Sequence, residues 1–204
     1  MKKNILFDMG NVLVRFDPAL FLRRLGLVGE DAEMLNREIF RSVEWVRLDR
    51  GDISDEEALA SIKPRLPARL HPAAEELVSR WDRPYTPIEG MPELVRELSA
   101  AGCGLYLLTN ASRRHRDYWP KFPVSEYFGD RIMLSADWQL LKPDPAFFEK
   151  ALSMFGLERG ECVFIDDHAP NVEAALRLGL PAIVFHGDAA RLRRELQMND
   201  APKK

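Results

Sequence analysis

Short apolar runs recur along the chain, separated by stretches with helical amphipathicity. Ile5-Leu6-Phe7 comes first, then Leu105-Tyr106-Leu107-Leu108, Ile132-Met133-Leu134, Val163-Phe164-Ile165 and Ala182-Ile183-Val184-Phe185. Strand-length runs alternating with helical stretches predict an α/β unit built on a parallel sheet. The intervening helices have readable ends. Pro92 suits a first helical position and Gly102 a C-terminal cap, which predicts a helix over Pro92–Ala101. Asp144-Pro145 opens another that closes near Gly156, and a third runs from about Pro170 to Leu178 with Gly179 as its stop.

From Phe16 to Pro87 the rhythm changes, because no strand-like run occurs and only helical patterns remain. Asp17-Pro18 reads as a helix start. Ser54-Asp55-Glu56-Glu57 has the Ser-x-x-Glu form of a capping box, in which Ser54 and Glu57 each satisfy a free backbone N–H. His71-Pro72 starts a further helix ending near Trp81, and Pro84 and Pro87 punctuate the return. A helical insert, 16–87, between the first and second strands of a core made of 1–15 and 88–204 is the expected organisation. The last residues, Asn199 to Lys204, are expected to fray.

With 204 residues and 46% apolar content, the chain can bury one sizeable core and a small appended unit. A formal net charge of −3 gives no reason to expect a nucleic-acid partner. The same acidity does little to attract a phosphorylated substrate, so any such attraction is local. Cys103 and Cys162 show no metal-ligand spacing and read as free buried thiols. The basic start Met1-Lys2-Lys3 is followed by an apolar run too short for a signal peptide, and no run is long enough to span a bilayer. A cytoplasmic protein, monomeric or weakly dimeric and without a membrane partner, is expected.

In open α/β sheets ligands bind beyond the carboxyl ends of the strands, so polar residues directly after each apolar run carry the chemistry. Asp8 follows the first run, Thr109 and Asn110 the second, Asp166 and Asp167 the fourth; Lys142 stands in a Lys-Pro-Asp-Pro turn. A carboxylate at Asp8 can attack phosphorus. Attack by an anion on an anion needs neutralisation. Asp8, Asp166 and Asp167 offer oxygen ligands to a hard dication such as Mg²⁺, and Lys142 adds a second positive charge. Thr109 and nearby backbone N–H groups can bind the transferring oxygens.

The segments FDMGNVL, LLTN, LKPDP and VFIDD resemble, in order, the four motifs of the haloacid dehalogenase-like hydrolase superfamily. The resemblance implies a Rossmann-like three-layer core with a parallel sheet and a small helical cap inserted after the first strand. It implies Asp8 as the nucleophile, and Thr109, Asn110 and Lys142 as binders of the phosphorylated substrate. Asp8, Asp166, Asp167 and the main-chain carbonyl of Gly10 become the Mg²⁺ site. The expected activity is hydrolysis of a phosphomonoester through a phosphoaspartate.

One position departs from that pattern. Most phosphatases of the superfamily carry a general acid two residues after the nucleophile, and here that residue is Gly10. General acid–base help is typically worth about 10²–10⁴-fold. A leaving group that needs little protonation resolves the departure. An anomeric sugar phosphate is one, and FDxGNV with the following Tyr118-Trp119-Pro120 is similar to bacterial sugar-1-phosphate phosphatases of the superfamily. The expected partner is therefore a small phosphorylated metabolite, a sugar phosphate. A phospho-ligand-binding or regulatory protein with little turnover is the alternative, followed by a metal-independent 2-haloacid dehalogenase. Asp17, His115 and His168 are candidates for a replacement acid by chemistry alone. Asp17 is better explained as a helix cap, and His115, within Arg113-Arg114-His115-Arg116, as part of a solvated face. In the insert, Trp45, Arg47 and Arg50 would suit a sugar phosphate, although a packed Trp45 and solvent-facing arginines are the plainer expectation. Trp138 is expected in the core.

Overall fold

The computed structural model describes residues 4–83 and 86–198. The basic start Met1-Lys2-Lys3, Pro84 and the tail from Asn199 to Lys204 lie outside the described residues.

Five parallel strands, β1 (Asn4–Phe7), β2 (Gly104–Thr109), β3 (Ile132–Leu134), β4 (Cys162–Asp166) and β5 (Ala182–Val184), lie in the order β3-β2-β1-β4-β5. Alternate residues along each strand point to opposite faces. Ile5, Phe7, Leu105, Leu107, Val163 and Ile165 therefore share one apolar cluster, while Leu6, Leu108, Cys162 and Phe164 share another. Both faces are covered, which is why the strands read as continuous apolar runs. Helix α6 (Met91–Ala100) and helix α11 (Ala189–Met198) bring Leu94, Val95, Leu192 and Leu196 to the first cluster. Helix α9 (Pro145–Phe155) and helix α10 (Ala169–Arg177) bring Phe147, Phe148, Ala151 and Ala175 to the second. The result is a three-layer α/β fold.

The segment between β1 and β2 is helical, as its sequence predicts. It holds α1 (Pro18–Arg24), α2 (Gly29–Leu35) running into a π-turn at Asn36–Phe40, α3 (Val43–Arg50), α4 (Asp55–Ile62) and α5 (His71–Arg80). Asp17 caps α1 by accepting the Leu20 N–H at 3.1 Å, so its side chain is committed to the helix. Ser54 and Glu57 form the reciprocal capping box on α4. The chain leaves and re-enters the sheet side by side: Arg15 N–H donates to Thr86 O at 2.8 Å and Ile88 N–H to Leu13 O at 3.0 Å.

Several contacts press the insert onto the sheet unit. An aromatic cluster of Phe16, Phe21, Phe40, Trp45, Trp81 and Tyr118 links them, with neighbouring ring centroids 4.8–6.5 Å apart. Arg114, after β2, donates to the buried Asp82 carboxylate at 2.6 Å and to Val78 O at 3.1 Å. Helix α3 ends at Gly51 in the left-handed region, with φ +79°. A Cβ there would lie 2.3 Å from the carbonyl oxygen of Ala136, so only glycine allows this approach. Beside it Ser135 Oγ donates to Asp49 O at 2.5 Å.

Three expectations need correction. Trp138 is 43% exposed, not in the core. The single-turn helix α8 (Ser135–Trp138), which follows α7 (His115–Tyr118), buries Ser135 and Ala136 and leaves the indole outside, with the Lys150 ammonium 3.6 Å from its ring centroid. His115 is buried, not solvated, and stacks on Trp119 at 5.4 Å. Of the two free thiols, Cys162 is buried and Cys103 only half-buried.

Candidate active site

Asp8 follows β1 directly, Thr109 ends β2 and Asp166 ends β4. Because Phe7 pairs with both Leu107 and Ile165, Asp8 and Asp166 stand level at the carboxyl edge, and Thr109 follows one residue beyond on the neighbouring strand. The strand order reverses between β1 and β4, so this edge is also the switch point where open α/β sheets bind ligands. A cavity of about 430 Å³ opens above it. Asp8, Gly10, Thr109, Asn110, Lys142, Asp166 and Asp167 all line it, so the expected nucleophile, phosphate-binding and metal positions are brought to one place.

Lys142 reaches in from the turn before α9. Its ammonium donates to Asp8 Oδ1 at 2.8 Å and to Asp166 Oδ2 at 2.6 Å, and it is almost fully buried. Burial alone would weaken the ammonium, but the charges and hydrogen bonds of the two carboxylates outweigh it and hold Lys142 more basic than usual. Burial lifts the Asp8 carboxyl to about 7; Lys142 pulls it down, Asp166 pushes it up, and the Met9 N–H pulls it down. Asp166 is held from three sides, since Oδ2 also accepts from Asn171 Nδ2 at 3.0 Å and Oδ1 accepts from the His168 N–H at 2.8 Å. Asp167 points out toward solvent and takes a hydrogen bond from Asn11. Asn11 itself sits at φ +52° in the loop after Asp8, where asparagine tolerates the left-handed region. Asn110 is turned toward Lys142, whose backbone it grips, and thereby positions that side chain.

One oxygen from each of Asp8, Asp166 and Asp167 lies within 4.8 Å of the other two. Three carboxylates around a single ammonium leave an excess of negative charge, and an all-oxygen donor set of this kind fits a hard divalent cation.

The rest of the cavity is of a different character. Phe16, Trp45, Leu48, Val78, Trp81 and Tyr118 form an apolar and aromatic wall supplied mostly by the insert. Trp45 thus both packs in the insert and faces the cavity. Arg47 is exposed, and Arg50 pairs with Asp52 at 2.5 Å; neither lines the wall. Of the residues considered as a replacement acid, Asp17 caps its helix and His115 lies outside the cavity, while His168 is an exposed lining residue.

Sequence reasoning missed one acidic lining residue. Asp49, in the last turn of α3, enters the cavity with its carboxylate accepting the Ser112 N–H. Burial, reinforced by the Asp8 charge, holds this carboxyl well above the usual carboxylate range.

Comparison with known proteins agrees with this geometry. A model of the haloacid dehalogenase-like hydrolase family matches residues 2–179. The chain belongs to that family. A curated relative, the sesquiterpene phosphatase astK of Aspergillus oryzae, is 27% identical over 185 residues, covering 87% of each chain. The flavin mononucleotide hydrolase 1 of Arabidopsis thaliana is 27% identical over 94% of this chain and 75% of its own length. Among solved structures, the family enzyme bt-2542 of Bacteroides thetaiotaomicron, in complex with magnesium and inorganic phosphate, aligns with TM-score 0.69 at 22% identity. It spans 94% of this chain and 99% of its own. Family membership and the α/β fold are thereby fixed, and among the described residues no helix is long and apolar enough to cross a membrane.

Proposed function

We propose that this chain is a Mg²⁺-dependent phosphatase that hydrolyses a small phosphomonoester, with Asp8 as the nucleophile. The observation that carries the reading is the Lys142 ammonium held between Asp8 and Asp166, with Asp167 alongside, on the floor of the cavity. The phosphatase and hydrolase relatives support it.

Asp8 presents a carboxylate oxygen to phosphorus, and Lys142 both orients it and offsets the charge of the arriving phosphoryl group. Thr109, buried at the end of β2, supplies a hydroxyl to the transferring oxygens. Asp8, Asp166, Asp167 and the Gly10 carbonyl would hold the Mg²⁺, which when bound supplies neutralising charge for the phosphoryl oxygens. Asp166, fixed by Lys142, Asn171 and the His168 N–H, keeps the ligand cluster in place. The insert acts as a cap over this floor, with 16–87 as its extent, and excludes water from the reacting groups. A donor set of this kind favours a metal-using phosphatase over a metal-independent dehalogenase. A cytoplasmic setting accords with the two unpaired thiols.

A sugar phosphate remains the substrate that the sequence resemblance implies, and its ring can stack on Trp45 or Trp81. A second reading rests on the wall itself: Phe16, Leu48, Val78 and the indoles suit a leaving group with an apolar or aromatic body. The experiment is a phosphate-release screen with Mg²⁺ over hexose 1-phosphates, hexose 6-phosphates, flavin mononucleotide and prenyl monophosphates. Turnover that Asp8→Asn abolishes supports the phosphatase, and the preferred class decides between the two substrate readings. Absence of turnover on every monoester, with Mg²⁺-dependent binding of phosphate retained, would instead identify a phospho-ligand-binding protein.

A further inference from the structure

We infer that Asp49 is the catalytic acid and base of the reaction, reaching the leaving group from the insert and filling the role left empty at Gly10. The inference rests on the phosphatase reading above and names a residue that reading lacks.

Four observations place it. First, Asp49 lines the same cavity as Asp8 and Lys142 but is supplied by α3 of the insert rather than by a strand end, and it lies close enough to Asp8 for their charges to interact. Second, its carboxylate accepts the N–H of Ser112, in the loop that continues from Thr109 and Asn110. That bond ties the side chain to the loop that carries Thr109 and Asn110. Third, its main chain is pinned. Ser135 Oγ holds the Asp49 carbonyl, and the Gly51 turn is pressed against Ala136. A proton donor must be held in a defined position, and this anchoring limits where the Asp49 carboxyl can go. Fourth, Asp49 is no member of the metal-binding triad, so its carboxyl is left for proton transfer. The surroundings described above favour its protonated form.

The steps balance. As an Asp8 oxygen bonds to phosphorus and the ester P–O bond breaks, the leaving oxygen takes the Asp49 proton and departs as an alcohol. A water then attacks the phosphoaspartate, giving its proton to the Asp49 carboxylate. The bond from phosphorus to Asp8 breaks, inorganic phosphate leaves, and Asp49 is again protonated. With an acid present, an anomeric leaving group is no longer required by Gly10, and ordinary alkyl esters become substrates.

The test compares leaving groups. For Asp49→Asn, kcat/KM with Mg²⁺ is measured on an alkyl phosphate and on 4-nitrophenyl phosphate, whose phenolate leaves without a proton. We expect a loss of about 10²–10⁴-fold on the alkyl ester and less than about 10-fold on the nitrophenyl ester. Phosphoaspartate should accumulate after acid quench with the nitrophenyl ester, because its hydrolysis has lost the base. Equal loss on both esters, or none on either, overturns the assignment. Should Asp49→Asn fail to fold, Asp49→Glu carries the same comparison, and equal loss there overturns it too. A wild type inactive on every monoester removes the phosphatase reading and this inference together. An active wild type with equal losses in the variant removes only the role of Asp49.

Discussion

Asn110 grips the main chain of Lys142 from both sides: its Oδ1 accepts the Lys142 N–H and its Nδ2 donates to the Lys142 carbonyl, each at 2.9 Å. A residue at the end of one strand thus sets the position of an ammonium that enters from a turn 32 residues later. Asn110→Ala removes both bonds and should lower stability by about 1–3 kcal/mol in urea unfolding. A displaced ammonium should also cut kcat/KM by about 100-fold, as misplacements of about 1 Å do. Loss of stability without loss of activity would show that Lys142 holds its place unaided.

Removing the ammonium itself has a different signature. Lys142→Met leaves Asp8 and Asp166 facing each other in a buried site, and breaking a buried pair typically costs about 3–5 kcal/mol. A divalent cation bound by the same carboxylates offsets part of that cost, because a ligand bound only by the folded state stabilises it. Thermal unfolding should therefore show a larger rise of Tm on adding Mg²⁺ for Lys142→Met than for the wild type. An unchanged or smaller rise would separate the cation from these carboxylates.

Gly51 joins the insert to α8 at a distance no other residue tolerates. Gly51→Ala meets both a left-handed backbone and the Ala136 carbonyl. The backbone part alone costs about 1–2 kcal/mol. The clash must then push α3 away from the sheet unit and carry Asp49 with it. Activity on alkyl phosphates should fall more than the binding of inorganic phosphate, which is read by calorimetry.

His115 gives the protein a pH dependence unrelated to catalysis. Burial, with the nearby Arg116 charge, lowers its pKa to about 3. The unfolded chain, with an ordinary imidazole near 6.5, binds a proton that the folded chain refuses between those two values. The contribution is therefore fully present above about pH 6.5 and is lost as pH falls toward 3, with a slope of at most about 1.4 kcal/mol per pH unit. His115→Phe keeps a ring against Trp119 and cannot titrate. Its unfolding free energy should fall less steeply than that of the wild type between pH 6.5 and 4. Parallel profiles would refute a buried neutral imidazole.

The fold was legible because burial on both faces leaves strands as unbroken apolar runs, and because Asp17, Ser54 and Gly156 cap helices by local hydrogen bonding or backbone conformation. Asp8, Thr109, Lys142, Asp166 and Asp167 were legible as a set since strand ends converge in a parallel sheet. His115 was misread because its own stretch, Arg113 to Arg116, is cationic, while its burial comes from Trp119 and Tyr118 folding over it. Trp138 was misread for the converse reason: a one-turn helix has no periodicity from which to tell its faces. Asp49 stood in the text as one charge among several on an amphipathic helix. Its single local clue is that an acid in the last turn of a helix opposes the dipole, where Arg47 and Arg50 accord with it.

The paired crossing of Leu13–Arg15 with Thr86–Ile88 carries a consequence for how such a molecule can change. Departure and return points sit one hydrogen bond apart, so the chain path of the sheet does not depend on the length of what is threaded between them. Closing a longer loop adds only about 0.6 kcal/mol for each doubling of length. Selectivity can then be rewritten by exchanging the parts of the insert that form the aromatic wall, provided that α3 keeps Asp49 in place and the strands that aim the nucleophile stay as they are.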